Sequence, residues 1–253
     1  MIIRKSPEEL QRMRRAGRIV ADTISAVLDA VRAGATTADL DAVAESCIRD
    51  QGATPSFLGY RGTFPATICA SIDDEIVHGI PTPSRVLEEG QLLSLDFGAI
   101  WEGFHADSAV SVFVGGTPPS EDAARLLKAT DEALQAGIAA AQPGGRLSDI
   151  GHAIESVAEP AGLGIVREYG GHGIGRALHE DPFIQNYGRA GRGPDLRPGL
   201  VVAIEPMLML GEEQTRVLAD EWTVVTADGS LAAHFEHTVA VTEQGPEVLT
   251  ARG

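Results

Sequence analysis

The strongest constraint on how this chain folds is that its second half repeats the layout of its first. Gly34, Asp39, Glu45, Ser46 and Gly52 recur 110 residues later as Gly144, Asp149, Glu155, Ser156 and Gly162. His78-Gly79-Ile80 recurs 94 residues on as His172-Gly173-Ile174, and GQLLSLD (Gly90 to Asp96) recurs 109 on as GLVVAIE (Gly199 to Glu205). His105-Ala106-Asp107 recurs 129 residues on as His234-Phe235-Glu236. The order is kept while the offsets drift, as loop insertions produce after an internal duplication. Two related halves, about 1–118 and 119–253, are therefore expected to pack as one α+β domain, residues 1–253, with pseudo-twofold symmetry.

The local patterns agree between the halves. Ser6-Pro7-Glu8-Glu9 is a capping box with Pro at the first helical position, and Leu10, Met13, Gly17, Val20, Ile24, Val27 and Val31 follow at helical spacing. A second helix begins near Thr36 to Asp39, carries Leu40, Val43, Cys47 and Ile48, and stops at Gly52. After Pro118-Pro119-Ser120 the pair repeats, with Leu126, Leu127, Leu134 and Ile138 on one helix and about Ser148 to Glu159 on the next. Residues 57–80 are turn-rich with short apolar pieces, whereas Leu92 to Asp96 and Phe104 to Val114 read as strands.

The repeat places metal-binding side chains in register: His78 with His172, Asp96 with Glu205, Asp107 with Glu236. If Glu102-Gly103 is a two-residue hairpin turn, cross-strand partners sum to 205 and Asp107 faces Gly98, on the sheet face of Asp96. The two carboxylates are then diagonal neighbours, about 7–8 Å apart at the backbone. In the second half Glu205 ends an apolar strand before Pro206, and Glu236 is expected inside a strand running from His234 to Val241, on the face of Thr238 and Ala240. Four carboxylates in an apolar setting repel unless a cation neutralises them or protons remain bound. Two divalent ions about 3.5–4 Å apart, sharing bridging carboxylates, meet that requirement.

Among the seven histidines, His78, His172 and His179 stand in Gly-rich or turn-like text where side chains project into clefts. His105, His234 and His237 flank the acids, as supporting or core groups. Composition narrows the field. A net charge of −16, from 36 acidic against 20 basic residues, disfavours nucleic-acid and anionic-membrane surfaces. No apolar stretch of signal-peptide length precedes Pro7, so a soluble cytoplasmic protein is expected. Cys47 and Cys69 form no CxxC motif and read as buried thiols. Gly171 to Gly175 (GHGIG) falls one residue short of the dinucleotide pattern, and neither GxSxG nor HExxH occurs.

Taken together, VHGIP, DFGAIWEGFHAD, YGGHGIGRALHEDP, VVAIEP and EWTVVTADGSLAAHFEHTVAVT resemble, along nearly the whole chain, the type I methionine aminopeptidases, bacterial enzymes of the pita-bread fold. That fold wraps two related halves around a curved antiparallel sheet flanked by helices. The resemblance implies metal ligands Asp96, Asp107, His172, Glu205 and Glu236, with Asp107 and Glu236 bridging two divalent cations (Co, Mn, Fe or Zn). It implies that His78 contacts the substrate near the scissile amide, that His179 hydrogen-bonds its carbonyl, and that Glu205 is also the general base. The methionine pocket maps to Tyr60, Phe64, Cys69, Leu178 and Trp222, groups suited to a thioether. The implied substrate is the N-terminal Met of nascent proteins with a small second residue, met in the cytoplasm by a monomer in transient contact with the ribosome. No nucleic acid or membrane is an expected partner.

The chain departs from the family pattern at the pocket rim. Tyr60-Arg61-Gly62-Thr63-Phe64-Pro65 stands where Tyr-His-Gly-aromatic-Pro is usual, with Arg for His and one residue more; Val77 replaces a frequent Cys, and Ala106 a usual Gly. Proline-specific peptidases of this fold use the same five ligands, but they usually add a large N-terminal domain that Met1 to Ser6 does not supply. A catalytically dead binding module of the same fold predicts lost ligands, and all five are present.

Overall fold

The computed structural model describes residues 1–252; Gly253, the last residue of the expected second half, lies outside them. Its first helix, α1 (Pro7–Ala30), starts on the expected capping box: the Ser6 side chain accepts from the Glu9 N–H, and the Glu9 carboxylate accepts from the Ser6 N–H. Met13, Ala16, Ile19, Val20, Ile24 and Val27 form its buried stripe. Then follow α2 (Thr37–Asp50), β1 (Thr54–Pro55), a 3₁₀ turn at Tyr60–Gly62, β2 (Ile68–Ile72), β3 (Glu75–Val77), β4 (Leu92–Trp101) and β5 (Phe104–Phe113). The second half opens on another helix pair, α3 (Glu121–Ala140) and α4 (Leu147–Ala158). None of its strands is as long as β4 or β5: β6 (Gly164–Ile165), β7 (Gly171–Gly173), β8 (Glu180–Ile184), β9 (Val201–Ile204) and β10 (Met207–Met209). They continue as β11 (Thr215–Val217), β12 (Val224–Thr226), β13 (Ala232–His234), β14 (His237–Thr242) and β15 (Gly245–Val248).

Every strand pairing among the described residues is antiparallel. β4 is flanked by β1 and β2 and also pairs with β5, while β15-β14-β9-β7-β8 form a five-stranded sheet. Two three-stranded sheets, β13-β10-β6 and β11-β12-β3, complete the set. Helix α1 packs across β4 and β5, and α3 across β9, β10 and β13. Leu93, Leu95, Phe97 and Ala99 of β4 join the helices in the main apolar core. By strand alternation Ser94, Asp96 and Gly98 occupy the opposite face.

The β4–β5 hairpin has the expected register. Trp101 pairs with Phe104 across a Glu102-Gly103 turn, both at positive φ, and Gly98 pairs with Asp107. Two expectations are corrected. Cys69 is buried but Cys47 is only half-buried. The strand expected from His234 to Val241 is broken at Phe235-Glu236, because β13 pairs with β10 and β14 with β9. At the break, Glu236 exchanges two backbone hydrogen bonds with Ala109 of β5, its N–H donating at 3.0 Å and its carbonyl accepting at 3.3 Å. That pairing ties the two halves together at the residue carrying the carboxylate.

Candidate metal centre and active-site cavity

Asp96 and Asp107 lie on neighbouring strands of one regular hairpin, on the face away from the helices. Glu205 follows the last residue of β9, with Asn186 Nδ2 donating to its carbonyl at 2.9 Å. Across the seam, the Asp107 N–H donates to Thr238 Oγ1 (2.9 Å), whose hydroxyl donates to the Asp107 carbonyl (2.7 Å). Ser108 Oγ donates to the Glu236 carbonyl at 2.6 Å. Ser111 Oγ donates to the His234 carbonyl (2.8 Å) and accepts from the His234 N–H (2.9 Å). Buried hydroxyls thus satisfy the backbone where the strand breaks, which such groups require inside a protein.

The candidate ligand atoms converge. Asp107, His172 and Glu236, all buried, each offer an atom within 4.8 Å of the others. His172 Nε2 lies 3.5 Å from Glu205 Oε1 and 4.0 Å from Asp107 Oδ2, and Glu205 Oε2 lies 3.6 Å from His234 Nε2. The two gaps from His172 Nε2 are long for hydrogen bonds but fit atoms held about 2.0–2.2 Å from a shared cation. On its other side the His172 ring donates from Nδ1 to the Gly173 carbonyl at 2.9 Å, leaving a lone pair at Nε2.

Burial sets the protonation of this group. It raises the carboxyl of Asp96 to about 6, with the Glu205 charge adding to the rise and His234 opposing it. It carries Asp107 well above the carboxylate range, helped by the charges of Asp96 and Glu205. Glu205 is raised by burial, and Glu236 by burial and then by Asp107, Glu205 and Asp96. Burial likewise drives His172 down to about 3 and lowers His234, so the imidazoles are neutral donors of lone pairs. Asp96 Oδ1, Asp107 Oδ1, Glu236 Oε1 and His234 Nε2 are buried without a hydrogen-bond partner. Acceptors left unpaired on three adjacent acids, beside a neutral imidazole, fit a divalent cation, which offsets the repulsion that burial sharpens.

All twelve site residues expected from the sequence line one cavity of about 460 Å³. Phe64, Cys69 and Leu178 belong to a single buried apolar cluster, with Tyr60 and Trp222 packed against it. The Phe64 and Trp222 rings meet edge to face at 5.1 Å. The Tyr60 hydroxyl is 2.8 Å from His179 Nδ1, and the His179 ring lies 4.1 Å from that of His172. His179 is held below the usual imidazole range by surrounding protein and then by the Arg61 guanidinium. His78 falls to about 4, through burial first and then the neighbouring His234, His179 and Arg61. Its backbone is left-handed at φ 62°. The next residue must be Gly, since a Cβ at Gly79 would lie 2.4 Å from the Ala70 carbonyl oxygen. The Arg61-for-His departure stands on the cavity rim, 5.6 Å from the Tyr60 ring, at positive φ.

The cavity also contains residues that sequence reasoning missed. Phe57, Tyr169 and Met207 line it, and the Tyr169 ring meets His78 edge to face at 5.9 Å. The signal available for Tyr169 and Met207 was position alone, one just before the Gly170-Gly171-His172 run and the other directly after Glu205-Pro206. His234, read as a flanking group, is buried against Glu205.

Comparison with known proteins identifies this arrangement. Residues 11–243 match the model of metallopeptidase family M24. The chain is 53% identical to methionine aminopeptidase 1 of Mycobacterium tuberculosis, covering 99% of this chain and 95% of that protein. It is 50% identical to the methionine aminopeptidase of Clostridium acetobutylicum, over 99% of each. The crystal structure of methionine aminopeptidase from Thermotoga maritima superposes with a TM-score of 0.96 at 40% identity, covering 100% of both chains. The prolidase of Pyrococcus horikoshii shares the fold at TM-score 0.79 and 22% identity, with this chain covering 65% of its length. With its pita-bread α+β fold and buried site for divalent metal, the chain belongs to metallopeptidase family M24, among the methionine aminopeptidases.

Proposed function

We propose that this chain hydrolyses the first peptide bond of proteins that begin with methionine, acting when the second residue is small. The observation that carries the reading is that one cavity joins five metal-ligating side chains to an apolar pocket that includes a buried thiol. Asp96, Asp107, His172, Glu205 and Glu236 would hold two divalent cations, with Asp107 and Glu236 shared. These cations would supply an acidified water and charge stabilisation, and such donors suit Mn²⁺, Fe²⁺, Co²⁺ and Zn²⁺ alike.

The chain's own residues do the rest. Phe64, Cys69, Leu178, Trp222 and the Tyr60 ring take the thioether side chain, which soft and aromatic groups favour. The acidic lining attracts a free α-amine, which only the first residue of a chain has. Glu205 accepts the proton of the attacking water and delivers it to the leaving amine. With the Tyr60 hydroxyl donating to Nδ1, His179 keeps its proton on Nε2 and donates it to the scissile carbonyl oxygen, where charge develops. His78 contacts the substrate near the scissile amide.

The same reading takes residues 1–253 as one catalytic domain of two halves, 1–118 and 119–253. It works as a cytoplasmic monomer on nascent chains, and its −16 charge keeps any ribosome contact brief. Among the described residues no helix is long and apolar enough to cross a membrane. The decisive assay offers Met-Ala-Ser and Xaa-Pro peptides to the purified protein with added Co²⁺ or Mn²⁺. Release of Met from the first supports the proposal; cleavage of Xaa-Pro without Met release overturns it.

A further inference from the structure

Lys5 is a buried cation outside the metal centre and outside the proposed chemistry. Its ammonium donates to Glu180 Oε2 at 2.8 Å, with the two side chains only 3% and 9% exposed. The other oxygen of that carboxylate, Oε1, accepts the N–H groups of Arg176 (2.8 Å) and Ala177 (3.2 Å). Glu180 therefore closes the turn that holds Leu178 and His179. The Lys5 N–H donates to the Gly199 carbonyl at 2.7 Å, anchoring the lysine at the approach to β9, the strand that leads to Glu205. Gly175 makes room for the pair, since a Cβ there would lie 2.4 Å from Lys5 Cε and 2.7 Å from Glu180 Oε1. The turn's base is fixed by the His105 N–H, which donates to the Gly175 carbonyl at 2.8 Å.

We infer that the buried Lys5–Glu180 pair is a positioning device for His179, locking the turn that aims its imidazole at the substrate carbonyl. Replacing a whole buried ion pair by apolar groups is often neutral in stability, whereas removing one partner strands a buried charge, so a pair kept at this turn is consistent with a role in fixing its geometry. Lys5 acts through His179 and touches neither substrate nor ligands. The inference rests on the proposed role of His179, and the experiment separates the two.

Steady-state kinetics on Met-Ala-Ser compare the parent with Lys5→Met, Glu180→Gln and Lys5→Arg, each repeated in a His179→Ala background. Misaimed catalytic groups cost up to about 100-fold, so Lys5→Met is expected to lower kcat by about 10- to 100-fold with KM little changed, and Lys5→Arg to recover most of it. Glu180→Gln keeps an oxygen for the Arg176 and Ala177 N–H groups while removing the charge, so it reports even if Lys5→Met does not fold. In the His179→Ala background the same changes should shift kcat by less than about 2-fold, the signature of coupling. Amide hydrogen exchange at residues 176–180 should speed up in the charge-removing variants. Equal losses in both backgrounds, or unchanged kcat with unchanged exchange, would overturn the inference. Full activity of His179→Ala alone would instead remove the reading on which it rests.

Discussion

The two halves proposed from the repeat carry their candidate metal ligands on different backbones. In the first, Asp96 and Asp107 sit on an uninterrupted hairpin of two ten-residue strands. In the second, Glu205 follows a four-residue strand, and Glu236 sits in the break between β13 and β14. The regular half carries the shorter acid and the other half the longer one. A repeated sequence thus constrains where the donors meet more tightly than how each strand runs. The meeting place is the seam, where Asp107 and Thr238 exchange hydrogen bonds and Glu236 pairs with Ala109.

The contrast between the halves is tested most sharply at Asp107 and Glu236, the carboxylates proposed to be shared between two cations. Asp107→Ala and Glu236→Ala should each abolish turnover, by about 10³-fold or more, since on the proposed reading the cations would supply both the nucleophile and the charge stabilisation. Their effects should match although one residue lies on a regular strand and the other at a break. Turnover of Met-Ala-Ser by the two variants checks this, and full activity in either removes that half from the site.

A smaller effect is expected at the seam. Thr238→Val keeps the shape but leaves the Asp107 N–H and carbonyl without their partner, and buried unpaired groups cost about 1–3 kcal/mol each. Urea unfolding should show that loss, with metal affinity reduced as Asp107 loses its support. The conservative partner Thr238→Ser should restore both, and an unchanged unfolding midpoint in Thr238→Val would mean that the seam does not hold the halves in register.

Much of this was legible in the sequence where local signals govern. The capping box at Ser6, the helix pairs and the hairpin register follow from spacing and turn chemistry, because alternation about Glu102-Gly103 leaves one good pairing. The break at Glu236 was hidden. His234 to Val241 carries a continuous strand pattern, and the interruption comes from pairing with Ala109, 127 residues earlier. Lys5–Glu180 was hidden for the same reason, since its partners lie 175 residues apart. The repeat paired His78 with His172 without distinguishing them. The structure separates them by setting: the His172 ring lies among the carboxylates, whereas that of His78 packs against Tyr169 and Trp222.

The central claim is that acids from both halves form one site for two divalent ions. The most direct test is calorimetric titration of the metal-free protein with Mn²⁺ or Co²⁺ under anaerobic conditions, with Met release followed on the same samples. The account predicts binding that saturates at two ions per chain in the parent and is lost from the shared site in both Asp107→Ala and Glu236→Ala. Full activity with no bound metal, or undiminished binding in either variant, would contradict it.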